Sequence, residues 1–121
     1  MLLDLRVEGE SLVARPVGEL DLQVADALRR HLVRHLGIGR ARNLVLNLSR
    51  VSFIDSSGLG VILGRYRQVK ALGGEMAIVG PTPPVNRVLE LAGLHRLVRF
   101  FASEEEALES LEGGGGSGQV T

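Results

Sequence analysis

The stretch FIDSSGLGVILGRYRQVKALGGEMAIV, Phe53 to Val79, decides the fold. Its middle is a helix pattern. Leu59, Ile62, Leu63, Tyr66 and Val69 recur at helical spacing and share one face. Arg65, Arg67, Gln68 and Lys70 fall mostly off that face, as solvated side chains do. Tyr66 therefore reads as core and the basic residues as helix surface. Gly73-Gly74 stops the helix, and Met76 to Val79 is a short apolar run that suits a buried strand. At the front, Ser56 stands just before the periodicity begins. A serine there is placed to accept a hydrogen bond from an unpaired backbone N–H, as an N-cap.

Working outward, Leu2 to Glu8 alternates weakly and Leu12 to Val17 is short and apolar. With Gly9-Glu10 between them they predict an N-terminal hairpin. Gly18-Glu19-Leu20-Asp21 leads into a first helix, whose stripe is Val24, Leu28, Leu32 and Leu36, ended by Gly37 and Gly39. Leu44, Val45, Leu46 and Leu48 form the next strand. After Val79, Thr82-Pro83 opens a helix with Val85, Val88, Leu89 and Ala92 on one side, stopped by Gly93. Leu97 to Phe101 is a last strand. Ser103 and Glu106 form a capping box for a short terminal helix through Leu111. The predicted order is β-β-α-β-α-β-α-β-α. This is an α/β domain: a small mixed sheet, antiparallel in the hairpin and parallel beyond it, packed with about four helices. The domain is expected over residues 1–112. The glycine-rich end, 113–121, is expected to be a flexible tail. The helix that follows the Asp55-Ser56-Ser57 segment starts at the carboxyl end of a strand, where α/β folds place their sites.

Composition narrows the function. The chain has 121 residues, enough for one domain with one core, and 45% are hydrophobic. Fourteen basic side chains balance 14 acidic ones, which argues against a general nucleic-acid surface. There is no cysteine, so disulfides, thiolate metal sites and cysteine nucleophiles are excluded. No secretory signal is visible, and no apolar run approaches the ~20 residues of a membrane span. A cytoplasmic domain with no metal and no cofactor is the expectation.

Three readings of Asp55-Ser56-Ser57-Gly58 compete. Gly58, Gly60 and Gly64 suggest a phosphate loop, and together with Asp21 a nucleotide-binding or hydrolysing protein. That reading lacks a Walker lysine, a metal-ligand cluster and a ribose-binding acid at the right distance, since Glu75 comes too early. A nucleophilic serine needs a base. His31 and His35 lie on or beside the polar side of the first helix, His95 sits in a loop, and no G-x-S-x-G elbow is present. The third reading is a serine that accepts a phosphate. Gly58 and Gly60 weaken a first helical turn and serve no evident packing need. They leave a bare surface that another protein can approach, and an exposed hydroxyl on it suits a kinase.

These residues resemble the STAS-domain anti-sigma factor antagonists, in particular the stage II sporulation protein AA type that opposes the anti-sigma F factor. The resemblance runs from about Leu3 to Leu111. It is carried by Gly18-Glu19-Leu20-Asp21, Leu46-Asn47-Leu48, the Phe53–Val79 stretch and Ala92-Gly93-Leu94. The arginine- and histidine-rich first helix and the glycine tail depart from it. The family's D-S-S/T-G motif falls on Asp55-Ser56-Ser57-Gly58, with its phosphorylated serine on Ser56.

The resemblance implies a non-enzymatic binding module. Its unphosphorylated form binds an anti-sigma factor that is also a serine kinase, and a sigma factor is released. The kinase then phosphorylates Ser56 and the complex parts; a PP2C-type phosphatase restores the serine. Sporulation transcription is the implied process, and a stress-response anti-sigma factor the alternative target. The implied partner surface comprises Asp21, Asp55, Ser56, Ser57, Gly58 and Gly60. Asp55 is expected to touch the partner rather than merely to cap backbone amides. No direct nucleic-acid or membrane contact is implied.

Overall fold

A computed structural model of the chain describes residues 1–113; residues 114–121, most of the expected tail, lie outside the described residues. The hairpin forms as expected. Strands β1 (Leu2–Glu8) and β2 (Ser11–Leu20) pair antiparallel from Leu2↔Val17 to Glu8↔Ser11. Gly9, at φ 63, supplies the positive φ that a tight two-residue turn requires. The chain continues through α1 (Leu22–His35), β3 (Asn43–Asn47), β4 (Val51–Ile54), α2 (Ser56–Ala71), β5 (Met76–Val79), α3 (Pro83–Leu91), α4 (Leu94–Leu97), β6 (Arg99–Phe101) and α5 (Glu104–Leu108). The main sheet runs β1-β2-β3-β5-β6, and every pairing after the hairpin is parallel.

Burial on both faces explains the unbroken apolar strands. Leu44, Leu46, Met76 and Ile78 face a core filled by Leu28 and Leu32 of α1, Ile62 and Val69 of α2, and Leu89 of α3. Each such side chain contributes about 1.5–3 kcal/mol when fully buried. Val13, Val45, Ala77 and Val79 point the other way, to a smaller cluster around Ala107 of α5. Helix α5 is also tied down by charge. Arg15 donates to both carboxylate oxygens of Glu104, at 2.6 and 2.7 Å, and Asn47 donates to the same group at 2.7 Å. These bonds, Arg15 first, hold the Glu104 carboxyl below the usual carboxylate range. Glu104 and then Asp4 push the Arg15 guanidinium up in turn.

The sheet differs from expectation in one place that matters. Strand β4 was not predicted. Strand β2 is ten residues long and has two parallel neighbours on one side: β3 beside Ser11–Ala14, then β4 beside Gly18–Leu20. The chain leaves β3 at Asn47 and turns back beside β2 after Leu48-Ser49-Arg50, where Gly18 N–H donates to the Arg50 carbonyl at 3.0 Å. Smaller departures occur near the end. Leu94–Leu97 is a helical turn, α4, so the described residues hold five α-helices. The last strand starts only at Arg99, and a wider π-turn, Glu109–Gly113, follows α5. His95 lies in α4 rather than a loop, stacked on Phe100 at 3.8 Å and 2.9 Å from Asn86 Oδ1.

Candidate functional site

Strand β4 brings two helix starts side by side. The parallel register sets Leu20 opposite Ile54, so the next residues, Asp21 and Asp55, emerge from adjacent strands. Neighbouring strands are only about 4.8 Å apart. Asp55 N–H also donates to the Leu20 carbonyl at 3.3 Å. Both aspartates are N-caps with nearly the same backbone: φ −114, ψ −174 at Asp21 and φ −110, ψ −172 at Asp55. Asp21 accepts from Gln23 N–H at 3.1 Å. Asp55 accepts from Ser57 N–H at 2.8 Å and from Gly58 N–H at 3.1 Å.

This corrects the expected cap. Ser56 is the first residue of α2, and the cap belongs to Asp55, whose carbonyl accepts the Leu59 N–H at 2.9 Å. Both residues are good cap formers, and strand pairing one residue earlier selects the aspartate. Asp55 thus caps backbone amides. Ser56 is exposed, and its hydroxyl takes no part in the cap.

The two glycines separate. Gly58 is buried. A Cβ there would lie 2.3 Å from the Leu20 carbonyl oxygen and 2.9 Å from Leu20 Cβ. Gly58 therefore serves packing, contrary to expectation: α2 crosses the end of β2 too closely for any side chain. Gly60 is exposed, with nothing within 4 Å of its Cβ position, as a bare surface requires. Ser57 and Gly60 line a groove of about 440 Å³ between α1 and α2, together with Leu22, Gly64 and Arg65. Leu22, first residue of α1, is 75% exposed there, a feature that the stripe pattern missed. Arg65 is expected at the solvated surface, yet its Nε and Nη1 are buried without a hydrogen-bond partner among the described residues. The arrangement presents a hydroxyl, two carboxylates and a shallow groove. Among the described residues no group of three or more His, Asp or Glu is placed to hold a metal ion, and no helix is long and apolar enough to cross a membrane.

Comparison with known proteins agrees with this geometry. The STAS domain family model matches residues 3–107. The anti-sigma F factor antagonist of Paenibacillus polymyxa is 39% identical over 114 residues, covering 91% of this chain and 97% of that protein. The solved structure of the anti-sigma factor antagonist SpoIIAA in its unphosphorylated form superposes with a TM-score of 0.80 at 34% identity, over 89% of this chain and 94% of that one. The phosphorylated form of the Bacillus cell fate determinant SpoIIAA gives 0.74 at 33% identity, over 89% and 97%. The chain belongs to the STAS-domain anti-sigma factor antagonists, which are regulatory binding proteins and not enzymes.

Proposed function

We propose that this antagonist works by partner switching, with Ser56 as the phosphate acceptor. In its unphosphorylated form it binds an anti-sigma factor that is also a serine kinase, and so frees a sigma factor for sporulation transcription in the cytoplasm. Phosphorylation ends the binding, and a PP2C-type phosphatase resets the serine. The partner surface centres on Ser56, with Asp21, Ser57 and Gly60 around it. Asp55 and Gly58 shape that surface from beneath.

One observation carries the reading: Ser56 is exposed while the Ser57 and Gly58 amides are already occupied by Asp55. A helix N-terminus ordinarily welcomes an anion through such amides. Here they are taken. A phosphate of nearly two negative charges at Ser56 therefore stays at the surface, next to the Asp55 carboxylate and close to Asp21. It changes the charge that a partner meets without requiring the domain to refold. Like charge and lost fit across an interface cost several kcal/mol, so the phosphorylated form should bind at least about 100-fold more weakly.

The test uses the cognate anti-sigma kinase, ATP and site mapping, with affinity measured by calorimetry in the presence of ADP. Label should fall on Ser56 and vanish in Ser56→Ala, which should still bind. Ser56→Asp should stay folded and bind poorly. Label on Ser57, or tight binding by the phosphorylated protein, would contradict the reading. The sigma factor released in a reconstituted mixture decides between sporulation and stress control.

A further inference from the structure

From the groove between α1 and α2 we infer a second docking site, continuous with the Ser56 surface, which receives an acidic segment of the anti-sigma partner and pairs one of its carboxylates with Arg65. The inference rests on the partner-switching reading and adds where, and with what chemistry, the partner is held away from the phosphate acceptor.

Three observations lead there. The first is the shape. Gly60 and Gly64 stand one helical turn apart on α2, and neither has an atom within 4 Å of its Cβ position. Packing within the domain therefore does not require glycine at either place. Together with Ala25 of α1 they keep a channel open from Ser57 down to Arg65. Small residues of this kind let another backbone approach closely.

The second is an incomplete ion pair. Arg65 is half-buried, and its Nε and Nη1 have neither water exposure nor an acceptor among the described residues. The one carboxylate in the groove, Asp26, is engaged by Arg29 at 2.7 Å and also by Arg30. Burial pulls the Arg65 guanidinium down, and Arg29 adds to the effect. A buried guanidinium without an anion destabilises the free domain. Nη2 is not among those buried atoms, and it is the donor that a partner carboxylate entering the groove can meet.

The third is the charge of the face. Helices α1 and α2 carry Arg29, Arg30, Arg34, Arg65, Arg67 and Lys70, against Asp26 within α1 and Glu75, which lies 3.7 Å from Lys70 just beyond α2. The opposite face of the sheet carries the glutamates of α5, with Arg15 held by Glu104. The neutral total thus conceals a basic face, and the phosphate acceptor lies at its edge. An acidic segment fits it; Leu22 at the rim and Val61 in the wall receive that segment's apolar side chains.

Two variants test the site against the purified cognate anti-sigma factor with ADP. Arg65→Met keeps most of the aliphatic stem and removes the charge. Gly64→Leu fills the groove from an open position on a helix. Neither should lower the melting temperature, and Arg65→Met should raise it, because an unpaired buried charge is lost. Both should weaken binding at least about tenfold, and Arg65→Lys should recover part of the loss. Phosphorylated wild type should remain weaker than unphosphorylated wild type throughout. If either variant binds like wild type while phosphorylation still weakens the complex, the groove is not a docking site and the switching reading stands. If phosphorylation has no effect either, both fail. Sedimentation that shows wild type self-associating and Gly64→Leu monomeric would identify a second copy as the occupant and overturn the inference.

Discussion

The turn from β2 into α1 and the turn from β4 into α2 are the same device used twice. Each strand ends in an apolar residue, Leu20 or Ile54, and an extended aspartate then caps the helix. The differences lie inside the first helical turn. At its first position α1 has Leu22 and α2 has Ser56, and both are exposed. At the third, α1 has Val24, partly buried against the core, and α2 has Gly58, pressed on the Leu20 carbonyl. The aspartates and the third positions answer to the fold. The first positions do not, because a residue there points away from the core and need not cap. A modification there would alter the surface with least effect on the domain.

The largest expected effect concerns the third position. Gly58→Ala should destabilise the domain by about 3 kcal/mol, since the methyl group meets a backbone carbonyl that cannot yield. Thermal melting should show a fall on the order of 10 °C or more. Gly60→Ala, with open space around it, should be neutral or stabilising by up to ~1 kcal/mol. Equal melting temperatures for the two variants would mean that α2 does not cross β2 as closely as described.

Acid tests the opposite face of the sheet. The Glu104 carboxyl has a folded pKa below its unfolded one, owing first to Arg15. Its contribution is therefore present above the unfolded value and disappears as pH falls through the folded one. A charged pair of this kind is worth about 1.5–3 kcal/mol. Glu104→Gln should cost a similar amount at neutral pH and nothing in strong acid, so its melting curve should converge with that of wild type. Parallel curves across the whole acidic range would show that Glu104 does not hold α5.

The caps come next. Asp55→Ala should cost about 1–2 kcal/mol and Asp21→Ala about 1 kcal/mol or less, because Asp55 satisfies two amides and Asp21 one. Chemical denaturation resolves that gap. A reversed order would mean that the second bond of Asp55 is not formed in solution.

Periodicity made α1, α2 and α3 readable, and alternation with short apolar runs implied a parallel sheet. Strand β4 escaped because Val51-Ser52-Phe53-Ile54 follows Leu48 so closely that both resemble a single apolar region. Only its pairing with β2, more than thirty residues earlier, separates them. That missing strand had consequences at the site. It fixes Asp55 rather than Ser56 as the cap, and it places the Leu20 carbonyl where only Gly58 fits. The burial of Arg65 is hidden from the sequence for a related reason. Its position off the apolar stripe of α2 is correct, but the neighbouring α1 buries it, and helical spacing says nothing about neighbours.

The smallest effect on stability belongs to the first positions, and it is the sharpest test of the comparison. Leu22→Ser and Ser56→Leu exchange the residues that distinguish the two turns. Each side chain is exposed and outside its cap, so each change should alter stability by no more than about 0.5 kcal/mol. If the hydroxyl alone made a substrate, the double exchange would move phosphorylation to residue 22. The two turns differ further, however: a kinase that approaches α2 meets open space at Gly60, whereas the corresponding position of α1, five residues after its cap, is Asp26, whose charge is already held by Arg29 and Arg30. The exchanged protein should therefore fold, lose phosphorylation at residue 56 and fail to gain it at residue 22. Mass spectrometry after incubation with kinase and ATP reads both sites at once. Robust labelling of the new serine would show that a capped helix start with a hydroxyl suffices, and that the bare surface beside Ser56 plays no part in recognition.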